Sequence, residues 1–348
     1  MDWLRESIAP PDDRAAGESR ARWNAIAKPI GSLGLMESAV ERIAGLTGDA
    51  GYRIDKRALT VFCADNGVVR QGVSQAGSDV TQIMARGLAT GDTSVCHMAR
   101  AARVDVFPLD VGMNREVEGV STRKMRRGTD DMSQGSAMTR ADALEAIGAG
   151  GGLVQDLYEK GYRIIATGEM GIGNTTSSGA MAAALLGRGA EEVTGRGAGL
   201  SGEGLRNKVA VIQRALEVNE PEAGDALDVL CKVGGLDIAA MTGAFLAGAV
   251  LRVPVVIDGL ISAVAALTAA RLRPEARCAM LASHVSAEPA AKWVLDALEL
   301  KPMIHAEMRL GEGTGAVAFL PLLDAAYAVY HGMGTFGDMN IESYKALQ

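Results

Sequence analysis

Residues 163–176 read Arg163-Ile164-Ile165-Ala166-Thr167-Gly168-Glu169-Met170-Gly171-Ile172-Gly173-Asn174-Thr175-Thr176. A short apolar run suited to a buried strand, 163–167, enters a glycine-rich turn, and an almost wholly apolar helical pattern continues over 176–186. Strand, glycine turn and helix in that order are the repeating unit of a parallel sheet with helical crossovers. The same alternation recurs outward from this stretch. Further strand candidates lie at 59–64, 104–111, 253–257, 279–283 and 303–306. Helical patterns lie at 80–88, 94–102, 140–158, 205–218, 238–251, 260–270 and 289–298. The segment 205–218 has the period of an amphipathic helix, with Leu205, Val209, Ile212 and Leu216 on one face. Segments 180–186 and 239–251 are apolar all round, as deeply buried helices are.

The ends of the chain differ from its middle. Residues 14–26, 36–46 and 316–330 read as helices with no strand among them. The expected organisation is an α/β protein: residues 51–315 form a large domain around a parallel sheet, and 1–50 with about 316–348 form a smaller helical domain.

Composition narrows the function. Of 348 residues 43 are glycine, about 12% against a usual ~7%, while Phe, Trp and Tyr together number 14. Such a chain builds its site from backbone more than from stacked rings. The net charge of −7 argues against a nucleic-acid partner. The basic run Arg123, Lys124, Arg126, Arg127 is followed at once by Asp130 and Asp131, as in a solvated loop. Cys63, Cys96, Cys231 and Cys278 form no C-x-x-C pair, and His97, His284, His305 and His331 have no metal-ligand spacing. A reduced cytoplasmic protein with no metal site and no cofactor is expected. The start, Met1-Asp2-Trp3-Leu4-Arg5-Glu6, lacks an apolar leader core. The most apolar region, 236–272, is broken by Asp237, Arg252, Asp258 and Arg271, too often for the ~20 residues of a membrane span.

In parallel α/β sheets ligands bind beyond the carboxyl ends of the strands. Four stretches occupy such positions: Cys63-Ala64-Asp65-Asn66-Gly67, Gly168 to Thr176, Asp258-Gly259, and Arg309-Leu310-Gly311-Glu312-Gly313-Thr314-Gly315. Gly171, Gly173, Asn174 and Thr175 lead into a helix whose free N–H groups suit a phosphate. The competing reading is an N-cap turn, with Asn174 or Thr175 as the cap. Glu312 stands between glycines, where burial raises a carboxylate's pKa toward that of a general base; alternatively it faces a helix dipole. Glu169, after another strand, is expected to share a cleft with it. The string Gly197-x-Gly199-x-x-Gly202 lacks the preceding strand that a dinucleotide fingerprint requires.

Longer strings carry a resemblance. Lys28-Pro29-Ile30-Gly31-Ser32-Leu33-Gly34, Ala64-Asp65-Asn66-Gly67-Val68, Gly72-Val73-Ser74 with Val80-Thr81-Gln82-Ile83-Met84, Gly168 to Thr176, Ser283-His284-Val285-Ser286-Ala287-Glu288-Pro289 and Arg309 to Gly315 occur in this order. The chain resembles the nicotinate-nucleotide:dimethylbenzimidazole phosphoribosyltransferases, the CobT-type family, over nearly its whole length. The resemblance implies a Rossmann-like sheet with a small helical domain from both chain ends, a homodimer, and a pentosyltransferase of cobalamin nucleotide-loop assembly. The implied reaction moves the 5-phosphoribosyl group from nicotinate mononucleotide to 5,6-dimethylbenzimidazole, giving α-ribazole 5′-phosphate and nicotinate. By motif, Glu312 is the base, and Glu169 supports the ribose or the developing charge. Gly171, Lys208 and Ser286 hold phosphate, alongside Gly173, Asn174 and Thr175. Ser74, Gln82 and Leu310 line the base pocket. The family's aromatic or proline near Gln75-Ala76-Gly77 is missing, so another benzimidazole, a purine or a phenol is an alternative acceptor. Asn66 stands where the family has His, and Ala290-Ala291 where it has Gly-His. Two other readings are a dinucleotide-dependent oxidoreductase and a non-catalytic nucleotide-binding relative. Small-molecule partners are expected, with no nucleic acid and no membrane.

Overall fold

A computed structural model describes residues 6–344. Met1 to Arg5, part of the stretch read as lacking a leader core, lie outside the described residues, as do 345–348 of the expected helical domain. In chain order the elements are α1 (Asp13–Ala25), α2 (Leu35–Thr47), β1 (Arg57–Ala64), α3 (Asp79–Thr90), α4 (Ser94–Ala101), β2 (Asp105–Gly112), β3 (Ser121–Thr122), α5 (Arg140–Glu159), β4 (Ile164–Met170) and α6 (Asn174–Leu186). They continue as α7 (Ala190–Val193), α8 (Gly202–Asn219), α9 (Ala226–Val233), α10 (Leu236–Val250), β5 (Val255–Ile257), α11 (Leu260–Leu272), β6 (Met280–Ala282), α12 (Ala291–Ala297) and α13 (Thr314–Gly332).

All six strands pair in parallel, in the order β3-β2-β1-β4-β5-β6. This is a doubly wound sheet whose strand order reverses between β1 and β4, the place where such sheets open a crevice. Both faces are covered. Ala58, Phe62 and Ala64 of β1 join one core with α5, α6, α9, α10 and α11. The alternate residues Leu59, Val61 and Cys63 join the other, with Trp23, Ile43, Val95, Phe319 and Leu320 from the helices at both chain ends and from α4. Period-two side chains buried on both faces explain why the strands read as uninterrupted apolar runs.

The expected strand at 303–306 does not form. Ile304 makes one parallel bridge to His284, and Glu307 at φ +52° then turns the chain away. The two-residue β3 is polar and exposed, so it carries no strand pattern. Helix α9 has no sequence signature either: it is eight residues long, too short for periodicity, and the Asp225 carboxylate starts it by accepting from the N–H groups of Leu227 and Asp228.

Helix α1 packs on α2, and α13 packs on α2, α4 and β4. The Arg22 guanidinium donates to the carbonyls of Tyr330 and Met333 at 3.0 and 2.8 Å. Arg57, at the start of β1, pairs with Asp324 of α13. Among the described residues no helix is long and apolar enough to cross a membrane.

Helices α5 and α10 touch backbone to backbone through two glycines. A Cβ on Gly150 would lie 1.8 Å from the Ala240 carbonyl oxygen, and one on Gly243 would lie 1.9 Å from that of Ile147. Gly17 of α1, by contrast, has nothing within 4 Å of the corresponding point. Gly150→Ala is therefore expected to destabilise the fold by about 1–3 kcal/mol or more through overpacking. Gly17→Ala is expected to stabilise it by roughly 0.5–1 kcal/mol through helix propensity. Urea midpoints of the two variants check the opposite signs.

Candidate active site

A cleft of about 360 Å³ opens beyond the carboxyl ends of β4, β5 and β6. Its walls come from the turn into α6, Asp258 and Gly259, His284 and Ser286, Arg309 to Glu312, and the Val73–Gln75 segment. Of the residues expected there, Glu312, Glu169, Ser74, Leu310, Gly171, Gly173, Asn174, Thr175 and Ser286 line it. Gln82 and Lys208 do not.

Glu312 owes its position to three successive left-handed residues: Gly311 at φ +90°, Glu312 at +61° and Gly313 at +94°. For a non-glycine residue that conformation costs about 1–2 kcal/mol. Two features hold it. Gly168 has no Cβ where one would meet the Glu312 carbonyl at 2.4 Å, so the loop lies directly on β4. The buried Asp258 carboxylate accepts from the N–H groups of Gly313 (3.2 Å), Gly315 (2.7 Å) and Ala316 (3.0 Å), capping α13 from the end of β5. The Glu312 carboxylate meets the first turn of α4, where the Val95 N–H donates to it at 3.5 Å. It thus faces a helix dipole, but that of α4 and not the helix that follows it in sequence. Burial raises its pKa, Val95 and Thr93 oppose the rise, and the Asp258 charge adds to it.

Glu169, at the end of β4, is buried beside Gly311: a Cβ there would come 2.5 Å from its Oε1. The Asn174 amide nitrogen donates to Glu169 Oε2 and, at 2.8 Å, to Asp237 Oδ2. Neither the capping role nor a free phosphate-binding side chain describes Asn174; Gly173, at φ +93°, is the N-cap of α6. Burial and the Asp237 charge push the Glu169 carboxyl up to about 8, with the Asn174 bond opposing. Burial likewise pushes Asp237 up to about 6.

At the other end of the cleft, the buried Lys208 ammonium stands behind Thr175, donating to its Oγ1 at 2.9 Å and to the Gly195 carbonyl at 3.2 Å. Burial pushes its pKa down to about 8, with Glu288 opposing. The N-terminus of α6 and Ser286 line this end of the cleft, as does Glu288, which accepts from the Gly197 N–H at 3.0 Å. Gln82 is half-buried on α3, and its side chain helps to lower the pKa of Asp65 without reaching the cleft wall. Leu310 stands 55% exposed at the entrance, and Met84 and Met170 add apolar lining near Ser74.

Sequence reasoning missed Asp237, His284 and the Thr93–Val95 turn. Asp237 had one available signal, a single acid in the first turn of an otherwise apolar helix. The Val95 contact spans 217 residues and had none. Among the described residues no group of three His, Cys, Asp or Glu side chains is arranged to hold a metal ion.

Comparison with known proteins places this geometry. The phosphoribosyltransferase family model DBI_PRT matches residues 8–341. The nicotinate-nucleotide–dimethylbenzimidazole phosphoribosyltransferase of Ruminiclostridium cellulolyticum is 46% identical over 333 residues, 95% of each chain. That of Clostridium acetobutylicum is 41% identical over 99% of each. The crystal structure of CobT from Thermus thermophilus superposes with a TM-score of 0.90 at 37% identity, covering 95% of this chain and 100% of that one. On these grounds, and with its parallel sheet and carboxylate-lined cleft, the chain belongs to the nicotinate-nucleotide–dimethylbenzimidazole phosphoribosyltransferase (CobT) family.

Proposed function

We propose that the protein transfers the 5-phosphoribosyl group of nicotinate mononucleotide to 5,6-dimethylbenzimidazole or a related base, forming α-ribazole 5′-phosphate and nicotinate for cobalamin nucleotide-loop assembly. The observation that carries the reading is the buried carboxylate of Glu312, held by backbone in the same cleft that the N-terminus of α6 lines. The pyridinium nitrogen of the donor already bears a positive charge, so nicotinate departs with the electron pair of the glycosidic bond and needs no acid. The acceptor's nucleophilic nitrogen attacks the anomeric carbon, and the proton on its other ring nitrogen must go to a base. Glu312 takes that proton. Its raised pKa brings it closer to the acceptor's own basicity while Val95 and Thr93 keep the carboxylate form available. Attack opposite the leaving group inverts β to α.

The N-terminus of α6, with Gly171 and Gly173, supports the phosphate together with Lys208 and Ser286. Ser74, Leu310, Met84 and Met170 would bound the acceptor. Gln82 would act on that pocket only through α3. We further propose that residues 1–50 and about 316–348 form the small helical domain, supported by the Arg22 bonds to Tyr330 and Met333 and by the Ile26–Thr335 bridge. The cysteines at 63, 96, 231 and 278 are free thiols, which favours a reducing cytoplasm, and the family resemblance favours a homodimer.

Incubating the protein with nicotinate mononucleotide and a mixture of benzimidazoles, adenine and phenols, with products identified by mass spectrometry, tests the reaction and the acceptor together. The benzimidazole product is expected to predominate; intact donor in every mixture would sink the reading. Glu312→Gln is expected to keep the fold, judged by circular dichroism, and to lower kcat by about 10²–10⁴. Lys208→Met is expected to raise KM for nicotinate mononucleotide about 10–100-fold, in line with a charge-assisted bond of roughly 1.5–3 kcal/mol, and to leave KM for the acceptor nearly unchanged. Initial-rate kinetics with each substrate varied separates these effects.

A further inference from the structure

The walls around Glu169 contain acids and very little to balance them. Asp237 faces it from the first turn of α10, Asp258 from the end of β5, and Glu312 from the loop before α13; the Cys63 thiol lies on β1, and Asp65 stands beyond Asp237. All four carboxylates nearest the cleft floor, Glu169, Asp237, Asp258 and Glu312, are buried. A basic group that faces Asp258 is His284, itself held below its ordinary pKa by burial. The cations lining the cleft, Arg196 and Arg309, are exposed. Glu169 and Asp237 take part in no ion pair among the described residues, and both accept from the one Asn174 amide nitrogen. Two buried carboxylates that accept from the same amide nitrogen lie close together, and the repulsion between their charges favours one shared proton, as in other paired acids.

We propose that Asp237, held next to Glu169 by the Asn174 amide that both carboxylates accept from, is a positioning residue whose buried charge keeps a proton on Glu169, so that Glu169 meets the substrate as a hydrogen-bond donor. The proton resides on Glu169 and not on Asp237, because Asp237 also accepts from the Ile238 N–H at 3.0 Å, a bond that favours its ionised form. The consequence concerns the donor nucleotide, and on this point the inference rests on the phosphoribosyl-transfer reading. Nicotinate mononucleotide brings a phosphate and a carboxylate into a cleft that already holds Asp258 and Glu312. An ionised Glu169 adds repulsion there, whereas a protonated one removes a charge and offers an O–H to a substrate oxygen. Glu312 is left as the acid whose ionisation the reaction uses, and the two glutamates enter in opposite protonation states.

Infrared difference spectra of the substrate-free protein across pH test the proton's location. At pH 7 a protonated-carboxyl stretch is expected in the wild-type protein and is lost in Glu169→Gln; its midpoint of ionisation lies near 8. Asp237→Asn is expected to move that midpoint down by about one unit or more, since a like charge is removed. Asn174→Ala is expected to move it up, and serves if Asp237→Asn fails to fold. Absence of a Glu169-dependent band at pH 7, or a midpoint left in place by the variants that fold, overturns the proposal. In turnover of nicotinate mononucleotide, the alkaline limb of kcat/KM follows the same shift in Asp237→Asn; a lower kcat with that limb unmoved overturns the positioning role. If the spectra behave as expected but the wild-type protein leaves nicotinate mononucleotide intact, the shared proton stands and the phosphoribosyl-transfer reading falls.

Discussion

Three backbone N–H groups converging on the Asp258 carboxylate set the rest of the site. A charge buried at the end of a central strand is costly unless several donors compensate it. The donors here belong to the loop that carries Glu312, so the same contacts that satisfy Asp258 also fasten the loop and start α13. The left-handed run Gly311-Glu312-Gly313 survives because Asp258 and the bare Cα of Gly168 both require it. Strain of this kind persists only where surrounding structure over-determines it.

The fold was legible because its physics is periodic. Strands buried on both faces must be short and continuously apolar, which identified β1, β2, β4, β5 and β6 to within three residues at each end. Where periodicity ends, legibility ended with it. β3 is two polar residues, α9 is two turns, and the stretch around Ile304 has the composition of a strand but a single bridge. The site was legible in a different way. Glycine next to a carboxylate drew attention to Glu169 and Glu312, yet the reason for the glycines lay elsewhere: they admit other backbone, as at Gly168, or another carboxylate, as at Gly311. What holds those acids, Asp237 through Asn174 and Val95 through the α4 dipole, comes from segments 63 and 217 residues away, distances over which no local pattern survives.

The electrostatic design opposes two ends of one cleft. At one end stand a helix N-terminus and a buried lysine, whose ammonium desolvation makes easier to deprotonate while the nearby Glu288 opposes that. At the other, acids crowd together with no ion pair among the described residues, and the proton on Glu169 lowers their mutual repulsion. The low aromatic content has its counterpart here: among the described residues that line the cleft there is no Phe, Trp or Tyr.

The pairing of Arg57 with Asp324, and of Arg22 with the carbonyls that end α13, has a consequence for how the molecule is made. One core of the sheet is assembled from Trp23, Leu59 and Phe319, residues at both extremes of the polypeptide. While the chain emerges from the ribosome, that face of the sheet stays incompletely covered until α13 has been synthesised. The other core, drawn from α5 through α11, has all its partners earlier. Helix α13, translated after the other elements of both cores, therefore completes this face, and Glu312 enters position with it: biosynthesis couples completion of the core to placement of this carboxylate.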